Sequence, residues 1–472
     1  MNVNEFLGEK NIDEYDDIMP ILRLILYRSG IRGKEGIFGT RERGKLYFIR
    51  TIWYYCLKVR HLFEKKEKSV LLSEQIVCLD RYDLLLYNIL NKNCITIMAK
   101  YNCPLRREPK ETVVALKKKS QKLYVGDSVP GKKLSIVVEE TYDLLNAIIL
   151  KKENCSSYEE ECRSLFEKLR KISQKRIKKI RKELKREGVQ GFITNNQYNL
   201  TDVVLLMACD QEKILTKELR HHSDMVVSID DRQCSKRNNA GFIENSVFSY
   251  VDQILLWSEY EKKYWKKYIH LDDISLKKVC CIVAGCPEML DDELLKLKKM
   301  YPKRDAITVF VPSHSMYIKD PAKKKITEND LALAKESRKQ IFAAVEQYAA
   351  KNGVKEIYVR YHPYEDERFI KNDEEITKNY NVLSATREDF YKAMCVSKVV
   401  IGTTSSSLAV ALLFGCKCIS LMLKEEKFDF CGAPIASMTI EQIASNEEGM
   451  GEVVQNCAKG IDISKLLGIE VC

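Results

Sequence analysis

The sequence predicts an α/β protein with two domains, each built around a parallel sheet. From about residue 188 onward, short apolar strand-like segments alternate with helical segments, a pattern that produces parallel sheets. The chain of 472 residues is too long for one ordinary domain, and it holds enough predicted strands for two sheets. We place an N-terminal domain with helical insertions at residues 1–265 and a C-terminal domain at residues 275–472.

Residues 1 to about 130 give a weaker pattern. Apolar segments that begin at Ser69 (SVLLSEQIVCL) and Asn93 (NCITIMAKY) predict strands. The segment from Lys122 (KLYVGDSVPGKKLSIVVEE) predicts two short strands around a turn, and helical spacing starts at Thr141. Further along, residues 200–219 (LTDVVLLMACDQEKILTKEL) predict one or two helices.

Residues 163–187 hold the strongest charge run and predict one long basic helix in the N-terminal half. Its apolar stripe is formed by Leu165, Leu169, Ile172, Ile180 and Leu184. The simplest interpretation is a surface helix with a solvated basic face; contact with an anionic membrane or with nucleic acid is the alternative. The net charge of +11 favours anionic partners, although no aromatic-rich RNA motif supports nucleic acid.

Composition and missing motifs exclude several classes of protein. The 17 cysteines lack paired C-x-x-C spacing, which indicates reduced core thiols and no zinc site. The acidic N-terminal segment has no apolar signal core, and no apolar segment reaches the ~18 residues that span a bilayer. No Walker A loop, G-x-G-x-x-G or H-E-x-x-H motif occurs. We therefore expect a cytoplasmic protein, either free or peripheral at the inner face of the cell membrane.

Three polar loops follow predicted buried strands in the second domain. ITVFV leads into Ser313-His314, IYVRY leads into His362-Pro363, and KVVIG leads into a run of hydroxyl residues that opens an apolar helix. Ligands bind open α/β sheets at this edge, where hydroxyls and free N–H groups of a helix N-terminus suit phosphate. The candidate nucleotide-binding residues are Ser313, His314, Arg360, His362, Pro363, Thr403, Thr404, Ser405, Ser406 and Ser407.

His362 is also a catalytic candidate, because a histidine held there can donate to phosphate as a leaving group departs. An acidic pair, Asp230-Asp231, ends a predicted strand (DMVVSI) in the first domain and could deprotonate an acceptor hydroxyl as general base. Adjacent aspartates are also common turn and cap residues. His221 or His222 could be the base instead, although their position favours a helix C-terminus.

The order of these motifs resembles the GT-B glycosyltransferase superfold over roughly residues 188–425. The closer likeness is to bacterial sialyltransferases and polysialyltransferases and to CDP-glycerol glycerophosphotransferases. VRYHP matches their His-Pro motif, GTTSSS matches their Ser/Thr motif, and SIDDRQ matches their acidic motif. In the acidic motif, Arg232 stands where those families carry glycine.

The resemblance implies two Rossmann-like domains facing a cleft, with His362, Ser405, Ser406 and Ser407 holding the phosphate of a cytidine nucleotide. It implies inverting, metal-independent transfer of a sugar, from a CMP-activated donor such as CMP-sialic acid, to a surface-glycan or glycolipid acceptor. The donor would be a co-substrate, with no cofactor, no metal and no nucleic acid. CDP-glycerol glycerophosphotransfer is one alternative. The replaced glycine motivates another, a non-catalytic membrane-associated scaffold protein.

Overall fold

A computed structural model provides the fold. It describes residues 13–31, 69–72, 97–100, 122–124, 131–151, 158–194, 200–219, 251–268, 279–287, 291–302, 304–314, 326–362, 365–384, 386–403, 406–423, 432–445, 462 and 465.

Seven parallel strands form the first sheet, in the order β3-β2-β1-β4-β5-β6-β7. The strands are β1 (Ser69–Leu72), β2 (Ile97–Lys100), β3 (Lys122–Tyr124), β4 (Val189–Thr194), β5 (Leu215–Leu219), β6 (Gln253–Leu256) and β7 (Cys280–Val283). The chain builds outward from β1 in one direction, then returns beside β1 and builds outward in the other. This is the doubly wound order of a Rossmann-like domain.

Helices cover the first sheet and form its core with β4. They are α1 (Met19–Ile31), α2 (Lys132–Leu150), α3 (Glu159–Arg186), α4 (Leu200–Gln211) and α5 (Glu259–Tyr268). Helix α4 is apolar on every side and almost wholly buried, because it packs against α1 and α3 as well as the sheet. A helix that is apolar all round belongs in such a position.

The predicted long basic helix is confirmed as α3. Its buried stripe is Cys162, Phe166, Leu169, Ser173, Ile177, Ile180 and Leu184. The predicted Leu165 and Ile172 lie half-buried at the margin of that stripe, because the core-facing line runs through the neighbouring positions. Within the part of the chain that the structure describes, no helix is long and apolar enough to cross a bilayer.

Six parallel strands form the second sheet, in the order β10-β9-β8-β11-β12-β13. The strands are β8 (Ala306–Phe310), β9 (Glu356–Arg360), β10 (Asn381–Val382), β11 (Ser397–Gly402), β12 (Lys417–Leu421) and β13 (Ile435–Met438). Numbered from its first strand, this sheet has the order 3-2-1-4-5-6, the Rossmann arrangement. The predicted class of two Rossmann-like domains is confirmed by the two sheets.

Helices pack on both faces of the second sheet. They are α6 (Asp291–Met300), α7 (Glu328–Lys351), α8 (Glu367–Asn372), α9 (Glu374–Thr377), α10 (Arg387–Val396), α11 (Ser406–Phe414) and α12 (Ile440–Ser445). One apolar core joins the sheet to α6, α10 and α11, and a second joins it to α7 and α12. The strands between these cores are almost continuously apolar, as expected of a sheet covered on both faces.

Two elements differ from their predicted type. The segment LTKEL was predicted to be helical but forms β5, and KLSIVVEE was predicted to be a strand but lies within α2. In β5, Lys217 and Glu218 are buried, so their charges do not mark an exposed face. In α2, Leu134, Val137 and Val138 face the core at helical spacing, and packing overrides their strand propensity. The predicted strand DMVVSI lies outside the described residues.

The predicted division between the domains needs correction in the light of the sheet pairing. Strand β7 was assigned to the second domain, but it pairs with β6 and therefore completes the first sheet. Trp257, just after β6, packs in the second domain's core. From the C-terminal region, Lys465 donates to the Val283 carbonyl oxygen at 3.1 Å, so this part of the chain contacts the first domain.

Candidate functional site

The three motif loops of the second domain lie at one edge of its sheet. Strands β9, β8 and β11 are adjacent and parallel, so their carboxyl ends lie side by side. The segments that leave these ends begin at Val311, Tyr361 and Thr403. Between β8 and β11 the chain order of the sheet reverses, and such a switch point is where open α/β sheets bind ligands.

A buried arginine joins two of these loops. The Arg338 side chain, on α7, is fully buried; it donates to the Pro312 carbonyl oxygen at 2.7 Å and to Glu365 Oε1 at 2.8 Å. It also donates to Asp373 Oδ2 at 2.7 Å. Since Pro312 follows β8 and Glu365 follows the His-Pro motif, Arg338 fixes the distance between the two loops. Sequence analysis missed this residue.

Glu365 in turn orients His314. Its carboxylate accepts from the His314 backbone N–H at 3.2 Å, and its Oε2 lies 3.4 Å from His314 Nδ1. The imidazole stacks on Phe369, with ring centroids 5.4 Å apart. Nδ1 is buried and makes no hydrogen bond among the described residues. Held between a carboxylate and an aromatic ring, His314 has a fixed orientation at the sheet edge.

Asp373, the third partner of Arg338, also contacts Tyr361. Burial raises the pKa of Asp373, and Arg338 opposes that effect. The Tyr361 hydroxyl donates to Asp373 Oδ2 at 3.2 Å, and burial together with that carboxylate raises the Tyr361 pKa well above its usual range. We name Arg338, Glu365 and Asp373 the Arg338 cluster.

His362 lies at the exposed surface of the same edge. Its carbonyl oxygen accepts from the Glu365 N–H at 2.8 Å, which closes the turn that contains the His-Pro motif. Although the residue is exposed overall, loss of hydration around the imidazole lowers the pKa of His362 below its ordinary 6.5. Repulsion from His314 adds to this shift, and Glu365 opposes it. His362 is therefore mostly neutral at pH 7, when it can donate one hydrogen bond without carrying charge.

Arg360 has contacts different from those predicted. The residue is buried, and its guanidinium donates to the carbonyl oxygens of Ser384 at 3.0 Å and Thr386 at 3.2 Å. The same group lies 4.9 Å from the centroid of the Phe390 ring. These contacts secure the loop between β10 and α10. A role for Arg360 in phosphate binding remains a prediction that these contacts do not support.

The hydroxyl-rich motif is described in part. Thr403 and Ser407 are half-buried, and Ser406 begins α11, while Thr404 and Ser405 lie outside the described residues. From Leu408 to the end of α11 every side chain is buried, so the helix N-terminus is held at the sheet edge. The N–H groups and the positive dipole end of a helix N-terminus are suited to an anion.

A close backbone approach at Gly402 brings β11 near β8. A Cβ at Gly402 would lie 3.2 Å from Phe310 Cβ, closer than ordinary contact. Glycine therefore allows these two strand ends to converge at the switch point.

The candidate general bases lie outside the described residues. These are Asp230, Asp231, His221 and His222, and the same holds for Pro363 of the His-Pro motif. Their roles remain predictions. Ser313 lies half-buried in the β8 loop. Among the residues that the structure does describe, no group of three or more His, Cys, Asp or Glu side chains is placed to hold a metal ion.

The first domain carries a buried lysine that sequence analysis missed. Lys217 lies in the central part of the sheet, 2% exposed, and donates to the Lys465 carbonyl oxygen at 3.0 Å. Burial lowers the pKa of Lys217 to about 8. This cation belongs to the contact between the first sheet and the C-terminal segment.

No protein-family model matches the sequence, and no curated protein matches it. Solved structures do. UDP-GlcNAc 2-epimerase from Neisseria meningitidis, bound to UDP-GlcNAc, is similar with a TM-score of 0.42 and 12% identity over 80% of this chain and 90% of that one. A UDP-N-acetylglucosamine 2-epimerase from Listeria monocytogenes is similar with a TM-score of 0.45 and 9% identity, over 85% of this chain and 95% of that one. The wall teichoic acid polymerase TagF is similar with a TM-score of 0.38 and 10% identity, over 87% of this chain and 90% of that one.

Proposed function

We propose that this protein is a glycosyltransferase that uses a nucleotide-activated sugar. The observation that carries the proposal is the convergence of the β8 loop, the His-Pro motif and the N-terminus of α11 at the switch point of the second sheet. A nucleotide phosphate at that point would meet helix N–H groups, hydroxyls and two imidazoles. The likeness of the motifs to sialyltransferases favours a CMP-activated donor such as CMP-sialic acid.

In the proposed reaction, the acceptor hydroxyl oxygen attacks the anomeric carbon as the bond from that carbon to the phosphate oxygen breaks. The phosphate leaves with the electron pair, and attack from the opposite face inverts the anomeric configuration. Asp230 or Asp231 takes the acceptor proton. His362 donates a hydrogen bond to the leaving phosphate oxygen, where negative charge develops.

The proposed reaction needs no metal ion. Preorganised donors at the leaving phosphate stabilise developing charge in the way that a bound cation does elsewhere. Here these donors are the N–H groups of α11, the hydroxyls of Thr403 and Ser407, and the imidazole of His362. The proposed acceptor is a surface glycan or glycolipid, and the proposed location is cytoplasmic, at the inner membrane face.

CDP-glycerol glycerophosphotransfer is the second candidate. It would use the same cytidine site but break the phosphoanhydride bond and move glycerol phosphate. The observation that favours it is the second histidine: the Glu365 carboxylate accepts from the His314 N–H, and the Glu365 N–H donates to the His362 carbonyl oxygen, so both histidines lie beside one site. The diphosphate of CDP-glycerol carries more negative charge than the monophosphate of a CMP-activated sugar, so a second imidazole at the site suits it.

A donor comparison tests the two candidates. Purified protein is incubated with CMP-sialic acid or with CDP-glycerol, with and without EDTA, and released CMP is measured. Release from CMP-sialic acid in EDTA supports the sugar transferase, and release from CDP-glycerol supports the second candidate. If neither donor is turned over while cytidine nucleotides still bind, the scaffold alternative stands and both reactions are rejected.

A further inference from the structure

The outer face of α3 carries a straight row of four lysines. Lys171, Lys175, Lys178 and Lys182 follow one another at spacings of four, three and four residues, directly opposite the helix's buried stripe. All four are exposed. At 1.5 Å rise per residue the row is about 16 Å long. We call it the lysine row.

The cations that flank the row are already neutralised, but the row itself is not. Arg181 Nε lies 2.5 Å from Glu212 Oε1 and Lys185 Nζ lies 2.7 Å from Glu212 Oε2. Arg170 is paired with Asp17 at 2.9 Å. Among the described residues, by contrast, no ion pair or hydrogen bond involves a side chain of the lysine row. Four uncompensated charges on one line repel each other, and an anionic partner would relieve that repulsion.

The surface around the row is open rather than walled. A shallow groove of about 410 Å³ runs along the first three lysines of the row, and every residue that lines the groove, Glu167 among them, belongs to α3. A linear polyanion would therefore be contacted from one side only. Further exposed cations flank the row on both sides, but each of them is paired with a carboxylate: Lys168 with Glu140, Lys185 with Glu212 and Arg186 with Glu187. A row of lysines that is open on its outer side fits an extended anionic surface better than a single chain that would need to be enclosed.

The apolar side of α3 is not available for insertion into lipid. It is used in the core against α2, α4 and the short 3-10 helix Asp13–Ile18. Interfacial amphipathic helices bind by burying an apolar face at the headgroup boundary, and α3 has none to offer. Contact through its outer face would be electrostatic, with the lysines at the level of the headgroups.

We propose that the lysine row docks this protein on an anionic membrane surface by charge alone, without insertion. The proposal does not depend on the transfer reaction. Each lysine near an anionic leaflet strengthens binding by about fivefold, so loss of all four weakens it by roughly several hundredfold. Because the attraction acts through water, it falls steeply as ionic strength rises.

The test measures co-sedimentation of the full-length protein with vesicles, either phosphatidylglycerol mixed into phosphatidylcholine or phosphatidylcholine alone. The variant carries Lys171→Gln, Lys175→Gln, Lys178→Gln and Lys182→Gln. A matched control removes the same net charge from four exposed lysines of the second domain, by Lys339→Gln, Lys355→Gln, Lys371→Gln and Lys378→Gln. All eight side chains are exposed, so melting temperatures equal to wild type are expected for both proteins.

The proposal predicts that wild type and control sediment with anionic vesicles at low salt, that the row variant does not, and that none binds neutral vesicles. Equal binding by both variants would overturn it, because net charge would then be the cause. So would binding that survives high salt. Long-chain polyphosphate is the competing probe: row-dependent binding to polyphosphate without binding to vesicles would assign the row to a linear polyanion and reject the membrane.

Discussion

Replacing Arg338 with methionine is the sharpest test of how the candidate site is held. Methionine keeps much of the side-chain length but removes all donors to Glu365, Asp373 and the Pro312 carbonyl oxygen. Two carboxylates that are each 1% exposed then lose the guanidinium that pairs with both of them. The β8 loop and the His-Pro loop also lose their common anchor.

The expected loss of stability is about 3–5 kcal/mol, the cost of breaking a buried ion pair by removing one partner. The loss should shrink as pH falls. Without Arg338, burial holds the folded-state pKa of Asp373 above its unfolded value, so the folded state of the variant binds a proton more readily. Such a group stabilises the fold at low pH, and that contribution disappears as pH rises through the folded-state pKa.

Urea unfolding of wild type and Arg338→Met at several pH values measures the loss of stability and its dependence on pH. Subtracting the unfolding free energies of the two proteins removes the pH effects that they share. CMP binding is measured alongside, and we expect it to weaken about tenfold, because His314 and Pro312 shift. Arg338→Lys serves as a control that keeps the charge but not the forked donors. A stability loss below about 1 kcal/mol, with unchanged CMP affinity, would refute the idea that the Arg338 cluster holds the site.

Three further predictions follow from single positions. Gly402→Ala should cost about 1–3 kcal/mol in urea unfolding, because the added Cβ lies 3.2 Å from Phe310 Cβ; a neutral result would show that the strand ends separate freely. Lys217→Met should be more stable than wild type near pH 7 by up to about 3 kcal/mol, because the buried wild-type lysine is charged there. This difference in unfolding free energy should close as pH rises from about 8 toward 10.5, since neutralising the lysine removes the cost of burying its charge. A stability difference between Lys217→Met and wild type that does not change with pH would contradict this prediction. The affinity of wild type for CMP should rise as pH falls below 6.5, because His362 then gains a positive charge. His362→Gln should lose this pH-dependent increase in affinity. The same pH profile in both proteins would show that His362 does not contact the phosphate.

Much of the second domain was predictable because its local signals agree. Its strands are short and β-branched, each ends at a polar loop, and the helices between them have clear starts such as the capping box of Thr327 and Asp330. Parallel strands in such a pattern have few possible orders. The placement of the three motif loops at one edge follows from that order.

The Arg338 cluster could not be predicted, because its partners have no local pattern. Arg338 lies 27 residues from Glu365 and looks like one more charged residue of a helix. Lys217 and Glu218 misled prediction in the same way, since a charge inside a sheet resembles a charge on an exposed helix. In each case the burial of the side chain depends on tertiary packing, and only the fold reveals it.

The central claim is that the edge formed by β9, β8 and β11 binds the phosphate of a cytidine nucleotide. Its most direct test is the melting temperature of wild type and His362→Ala in EDTA with CMP, CDP, UDP, GDP or ADP, because a bound ligand stabilises the folded state by mass action. We predict that the cytidine nucleotides raise the melting temperature of wild type and that His362→Ala loses most of this increase. An equal increase in both proteins would contradict the assignment of the site, and no increase with any nucleotide would contradict nucleotide binding itself.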